Sequence, residues 1–224
     1  MGGKIGVFTE KQKEYLNHIQ YSNQRMIDLV NALLNVSRIE MGVFTIKVGE
    51  NDPCIIVQNI VGELKPLIDK KQLKLKTIFL EKSIALMIDE PLFRMVINNL
   101  IINAVHYTEE GGEIRVECMM VNKGQILGGK FPKENCFVVA VSDTGHGIPQ
   151  EQQSKVFTKL FRADNVREKH TDGTGLGLYI AKSILDHSGG SIWFTSRENE
   201  GSAFYVAIPM LGMKVKAGEK ELIG

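Results

Sequence analysis

Three stretches of this sequence combine residue types that chemistry needs. In Asp143-Thr-Gly145-His-Gly147-Ile148, an acid stands one residue beyond the apolar run Phe137–Val141. A carboxylate at the end of a buried strand is costly unless a donor satisfies it. The exocyclic amino group of adenine is a suitable donor, and Gly145 and Gly147 let the backbone turn and approach a flat base. Alternatively, Asp143 caps its own turn. Asn99, Asn103 and His106 recur at four- and three-residue steps, which sets them on one helical face. A carboxamide oxygen is a neutral, hard ligand for Mg²⁺ whose charge is met by substrate phosphates. His106 offers a donor to a phosphate, and Tyr107 a ring for a base or sugar. Two core asparagines bonded to backbone would satisfy the same pattern.

The third stretch, Gly173-Thr174-Gly175-Leu176-Gly177-Leu178, stands where a polar loop meets a helix. Glycine-freed N–H groups and a helix N-terminus make a phosphate cradle. A dinucleotide fingerprint fails because its third glycine falls at Leu178 and Glu168–Asp172 is polar rather than a strand. No Gly-Lys-Ser/Thr follows, so a Walker loop fails too. Between Ile148 and Gly173, Lys155, Lys159, Arg162, Arg167 and Lys169 alternate with Glu151, Asp164, Glu168 and Asp172. This segment is placed to fold over a nucleotide as a lid, anchored by Phe157, Leu160 and Phe161, with Arg162 and the lysines as phosphate donors.

The elements that must position these residues are legible from periodicity. Thr9 to Glu40 reads as one long helix, with Thr9 and Gln12 as a capping box and Gly42 as its end. Leu16, Ile19, Met26, Leu29, Val30 and Leu33 form an apolar stripe on it, and Ile19, Met26 and Leu33 lie seven apart, as in a coiled coil. Val43–Val48 reads as a strand, and Pro53 opens a helix to about Lys71. Leu73–Leu80 and Ile84–Ile88 read as paired strands turning at Glu81-Lys82-Ser83. A buried helix, Glu90–Thr108, precedes strands Gly112–Val121 and Cys136–Ser142, joined by the polar loop Asn122–Asn135. A helix over Leu176–Ser188 and a hairpin, Ser191–Thr195 with Ala203–Ile208, complete the pattern, and a loose tail begins near Met213. The predicted fold is α+β: a two-layer sandwich whose mixed sheet is covered on one face by helices, preceded by one long helix.

Composition narrows the function classes. A chain of 224 residues with 43% hydrophobic and 24% charged residues can bury a sizeable core. A net charge of +1 gives no whole-chain attraction to nucleic acid or anionic lipid. Cys54, Cys118 and Cys136 are widely spaced, which disfavours zinc and redox motifs and suits a reducing cytosol. No run approaches the roughly 20 apolar residues of a membrane span.

Together these stretches resemble the catalytic domain of sensor histidine kinases, in the superfamily that also holds DNA gyrase and the mismatch-repair ATPases. Asn99-Leu-Ile-Ile-Asn103-Ala-Val-His-Tyr-Thr108 resembles the asparagine box, and Asp143-Thr-Gly-His-Gly147-Ile-Pro the first glycine box. Val156-Phe-Thr-Lys-Leu-Phe-Arg162-Ala-Asp164 resembles the phenylalanine box, and Gly173–Leu178 the second glycine box. His187-Ser-Gly-Gly190 and Gly201-Ser-Ala-Phe204 are similar to the closing strands. Leu29–Glu40 is similar to the end of the second helix of the dimerisation and phosphotransfer region. Two departures stand out: His106 occupies a position usually held by lysine, and Thr158-Lys-Leu replaces an acidic-Pro-Phe sequence.

The resemblance implies an ATP-binding catalytic domain over 43–212, a partial phosphotransfer region over 1–42 and a tail over 213–224. It implies ATP or ADP with Mg²⁺, with Asp143 on adenine, Asn103 on the metal, and Gly175 and Gly177 on phosphate. Asn99, His106, Tyr107 and Arg162 would support them. Gly145, Gly147, Ile148, Gly173, Thr174, Leu176 and Leu178 would complete the nucleotide site. The parent would be a homodimer joined by a helical bundle that autophosphorylates a histidine and passes the phosphoryl group to a response regulator's receiver domain. It would be anchored in the inner membrane by upstream segments, with this part in the cytoplasm and no nucleic-acid partner. None of the five histidines is followed by Glu, as the acceptor box requires, so nucleotide binding without autophosphorylation is expected. Rival readings are a nucleotide-sensing interaction module, an ATP-hydrolysing relative and a serine kinase. Hydrolysis is disfavoured because Asn99 stands where such relatives place a glutamate base.

Overall fold

The computed structural model describes residues 8–40, 45–130, 132–167 and 174–214. Helix α1 (Glu10–Glu40) starts at the expected capping box: Thr9 N–H donates to Gln12 Oε1 at 2.9 Å and Gln12 N–H to Thr9 Oγ1 at 3.3 Å. Leu16, Ile19, Met26, Val30 and Leu33 of its stripe are exposed. Gly42, the expected helix end, lies outside the described residues.

The order continues β1 (Gly49–Asn51), α2 (Pro53–Lys70), β2 (Lys74–Ile78), β3 (Leu86–Ile88), α3 (Glu90–Tyr107), β4 (Glu113–Val121) and β5 (Cys136–Asp143). A 3-10 turn (Gln150–Lys155), α4 (Asp164–Arg167), α5 (Gly177–Ser188), β6 (Ser191–Arg197) and β7 (Gly201–Pro209) follow. Five strands form one mixed sheet in the order β2-β4-β5-β7-β6. Helices α2, α3 and α5 bury their apolar faces on it, with Phe93, Ile97, Ile101, Phe137, Ile184 and Ile208 fully enclosed. The α+β architecture with a covering helical layer is as predicted.

Three expectations fail, each for a local reason. The anticipated hairpin of Leu73–Leu80 with Ile84–Ile88 does not form: β2 pairs in parallel with β4, and β3 pairs antiparallel with β1. Asp52 accounts for the parting. It caps α2 through Oδ1, while its Oδ2 accepts from Ser83 Oγ at 2.6 Å and Ile84 N–H at 3.2 Å, holding the anticipated turn against α2. The strand expected at Val43–Val48 begins only at Gly49. Lys47 N–H instead donates to Asp89 Oδ2 at 2.6 Å, and residues 43–44 lie outside the described set. Met213 is not loose: its side chain is buried and its N–H donates to Met87 O at 2.7 Å. The backbone of Lys214 follows, donating to Ser188 O at 2.9 Å.

The polar loop Asn122–Asn135 joins β4 and β5 as expected. It folds across the outer face of the sheet, where Leu127 packs with Val138, Trp193, Tyr205 and Ala207 in a second small core. Trp193 Nε1 donates to Leu127 O at 3.1 Å.

Candidate nucleotide site

Asp143 ends β5, paired with Ile114 on one side and Ser202 on the other. Its carboxylate accepts the Gly145 N–H at 2.9 Å and the Ser202 backbone N–H. Burial nonetheless pushes its pKa up to about 6, because two amides only partly replace lost water. The acid therefore caps its own turn and still borders a cavity, so the two sequence readings hold together rather than compete.

That cavity, about 70 Å³, is lined by Asn103, Tyr107, Asp143, Gly147, Ile148, Arg162 and Leu178 of the expected set. Ala104, Val156, Phe161, Ala163, Ser202 and Phe204 join them. Phe161 was expected near the nucleotide as a lid anchor; the sequence reading missed the other five, although Ser202 and Phe204 belong to the closing-strand motif and Val156 and Ala163 to the lid segment. Asn103 and Tyr107 reach the cavity from α3, and Leu178 from the first turn of α5.

The glycine loops set close approaches. Gly147 has φ +61, and a β-carbon there would strike the Arg197 carbonyl. Gly175 has φ +70 and lies against the Leu160 backbone, where a β-carbon would fall 2.7 Å from the carbonyl carbon. Both conformations disfavour any side chain. Asn99 faces α5: a β-carbon at Gly177 would sit 2.8 Å from its Oδ1. Asn99, His106, Gly145, Thr174, Gly175, Leu176 and Gly177 do not line the cavity, and Gly173 lies outside the described residues.

The segment after Ile148 is pinned at several points. Gln153 Nε2 donates to Ile148 O and Ser196 O, and Gln152 bonds Asp164 twice, at 2.7 and 3.0 Å. Asn165 Nδ2 donates to Gly147 O at 3.2 Å. Phe157 meets Phe194 edge-on at 5.7 Å, and Phe194 stacks on Phe204 at 5.3 Å. Leu160, expected as an anchor, is instead 66% exposed, since its φ of +59 turns it outward against Gly175. Arg162 hydrogen-bonds Tyr107, whose hydroxyl burial raises in pKa while the guanidinium opposes the shift. Arg162 Nε and Nη2 are buried with no hydrogen-bond partner. Two unsatisfied cationic donors beside a cavity suit an anionic oxygen, and a phosphate offers several.

A further residue escaped the sequence reading. Lys71 Nζ donates to Val105 O at 2.8 Å and His106 O at 2.9 Å, capping the last turn of α3. Burial lowers its pKa, opposed by nearby Glu109. Glu109 Oε1 in turn lies 3.1 Å from His146 Nε2, and His146 N–H donates to Tyr107 O at 3.2 Å. Nothing local marked Lys71 for this role, because the carbonyls it holds are 34 and 35 residues away. Among the described residues no group of three His, Cys, Asp or Glu side chains is placed to hold a metal.

Residues 88–212 match the family described as histidine kinase-, DNA gyrase B- and HSP90-like ATPases. The chain is 30% identical over 207 residues to the circadian input-output histidine kinase CikA of Synechococcus elongatus, covering 92% of this chain and 26% of that protein. It is 28% identical over 195 residues to the sensor histidine kinase WalK of Bacillus subtilis, covering 87% of this chain and 30% of that one. Among solved structures, the catalytic domain of histidine kinase ThkA in a nucleotide-free form superposes with TM-score 0.59 at 26% identity, over 73% of this chain and 96% of that one. Full-length ShkA in complex with AMPPNP superposes with TM-score 0.70 at 19% identity, over 94% of this chain and 41% of that one, a likeness of fold. The chain spans roughly a quarter of the two curated relatives named here. With the matched segment running from β3 to Gly212 and enclosing the whole cavity, the chain belongs to the histidine kinase-, gyrase- and HSP90-like ATPase family, as a histidine kinase ATP-binding catalytic domain.

Proposed function

We propose that this chain binds Mg·ATP as the catalytic part of a two-component sensor kinase. The observation that carries the reading is Asp143: a buried acid, held by two backbone amides, bordering a cavity formed between the asparagine helix and the lid segment. Its ionised carboxylate accepts the purine amino group, and Gly147 lets the base approach the backbone. Asn103 would supply a protein oxygen to a Mg²⁺ ion carried on the phosphates, which when bound would supply neutralisation of their charge. Arg162 turns its two unpaired nitrogens to phosphate oxygens, while Thr174, Gly175, Leu176 and Gly177 lead into the start of α5, where backbone amides can meet phosphate. Asn99, which lies against Gly177, supports the phosphates or the base from α3 together with His106 and Tyr107. Positioning and charge neutralisation constitute the catalysis, since no covalent step is asked of these residues.

In this reading residues 43–212 form the catalytic unit, 1–42 a phosphotransfer helix that pairs in a dimeric bundle, and 213–224 a tail. The parent phosphorylates a histidine and then a response regulator. This chain, with no histidine followed by Glu, binds nucleotide without labelling itself.

Calorimetry with MgATP, on the native chain and on Asp143→Ala, tests the binding step. Heat from the first and none from the second is expected; equal heats overturn the site. Incubation with γ-labelled ATP, alone and with a separate histidine-containing phosphotransfer helix pair, tests the chemistry. Label is expected only in the added segment. Steady phosphate release in its absence would favour the hydrolytic alternative.

A further inference from the structure

Behind the loop that crosses the outer face of the sheet lies a second cavity, of about 240 Å³, larger than the one beside Asp143. Two adjacent antiparallel strands can be joined by a two-residue turn. Here β4 and β5 are joined by the long loop Asn122–Asn135, and that loop is internally braced. Gly124 N–H donates to Pro132 O, Gln125 N–H to Asn122 O, and Lys123 N–H to Asn135 Oδ1, while Leu127 and Lys130 exchange backbone bonds at 3.0 Å. The described residues of the loop thus make a built wall, with Gly128 close against the Tyr205 ring.

The cavity floor is Trp193, backed by Tyr205 at 5.3 Å, together with Ala207 and Pro209. Its rim carries Lys130 and Lys133 against one acid, Glu134. The Lys130 ammonium stands 5.1 Å from the indole centroid, and neither lysine forms an ion pair with a described carboxylate. An adjoining groove shares Glu134, Gly189 and Pro209 and adds Lys214. An apolar aromatic floor beneath a net cationic rim recognises one chemical class. We infer that this cavity binds a small organic anion with a flat apolar group, its carboxylate paired with Lys130 and Lys133 and its ring against the Trp193 edge. Pockets for drug-sized ligands measure about 300–1,000 Å³, so a single-ring ligand is the right size. The site is separate from the residues proposed for nucleotide and does not depend on that reading.

Trp193 is the only tryptophan, so its emission reports occupancy. The full chain is titrated with benzoate, and with benzamide as the uncharged counterpart, at fixed ionic strength. A saturable change with benzoate, with Kd on the order of millimolar as befits a one-ring ligand, and a response to benzamide at least tenfold weaker, is expected. Lys130→Met with Lys133→Ala, both exposed positions, is expected to weaken benzoate about tenfold or more. Asp143→Ala is expected to leave benzoate binding unchanged while removing the heat of MgATP binding, which separates the two sites. Equal responses to benzoate and benzamide, no saturation, or indifference to the lysine substitutions would overturn the assignment.

Discussion

Tyr107, the last residue of α3, is hydrogen-bonded to Arg162 of the lid segment, so the asparagine helix and the lid are joined across one side of the cavity. Phe161 and Ala163 of the lid segment line the same cavity, of about 70 Å³, beside Asp143. Arg162 stands on its wall with Nε and Nη2 unsatisfied, and phosphate oxygens offer them the partners they lack.

Arg162→Ala should therefore separate base binding from phosphate binding. Adenosine, which has no phosphate, should bind with little change, whereas ATP should weaken about tenfold as the charged donors are lost. The ATP-to-adenosine affinity ratio should therefore fall. Calorimetry with both ligands on both proteins measures this ratio.

Asp143 makes the affinity for MgATP pH-dependent. The purine amino group needs an ionised acceptor, and burial has moved the Asp143 carboxyl from 3.8 to about 6. Affinity should fall about tenfold between pH 7 and pH 5, as the acid must give up its proton to bind. Titrations across that range check it, and a flat profile would remove Asp143 from the base contact.

The same shift has a stability consequence of opposite use. A folded-state pKa above the unfolded value means that Asp143 is best tolerated when protonated. The associated stability is full below about pH 3.8 and is lost as pH rises through about 6. A shift of that size corresponds to about 3 kcal/mol of strain in the ionised form. Asp143→Asn keeps an acceptor for the Gly145 N–H without the charge. It should raise Tm at pH 8 more than at pH 5 while abolishing MgATP binding, as thermal melts and calorimetry would show.

Lys71 should act as a positioning residue for α3. Lys71→Met removes the ammonium from the Val105 and His106 carbonyls and should cost about 1–2 kcal/mol of stability. It should also weaken MgATP binding by loosening Tyr107 and Asn103. Lys71→Arg should restore both. A stability loss with unchanged nucleotide affinity would confine Lys71 to a structural role.

Gly175→Ala tests the fit between the lid and α5. The substitution meets both a φ of +70 and the Leu160 backbone, so it should cost about 1–3 kcal/mol or displace Leu160. Limited proteolysis within residues 156–167 should speed up in the variant.

Local chemistry made most elements readable before any coordinates. The Thr9–Gln12 box fixed where α1 starts, Pro53 marked the first residue of α2, and Gly112–Val121 read as a strand. The residue types of the site were equally legible, because an acid after an apolar strand and glycines before a helix carry their reasons in adjacent positions. Partnership across the chain was not. Whether β2 pairs with β3 or with β4 turns on Asp52 reaching Ser83 and on Lys74 N–H meeting Gly112 O, contacts that a hydrophobic pattern does not encode. The Lys71 cap, the Tyr107–Arg162 bond and the wall built by Asn122–Asn135 are likewise agreements between distant segments. The amino-acid order set which residues had chemical work to do and on which elements they ride. Only packing decided which of them meet, because burial and hydrogen-bond satisfaction are properties of the assembled layers rather than of any one stretch.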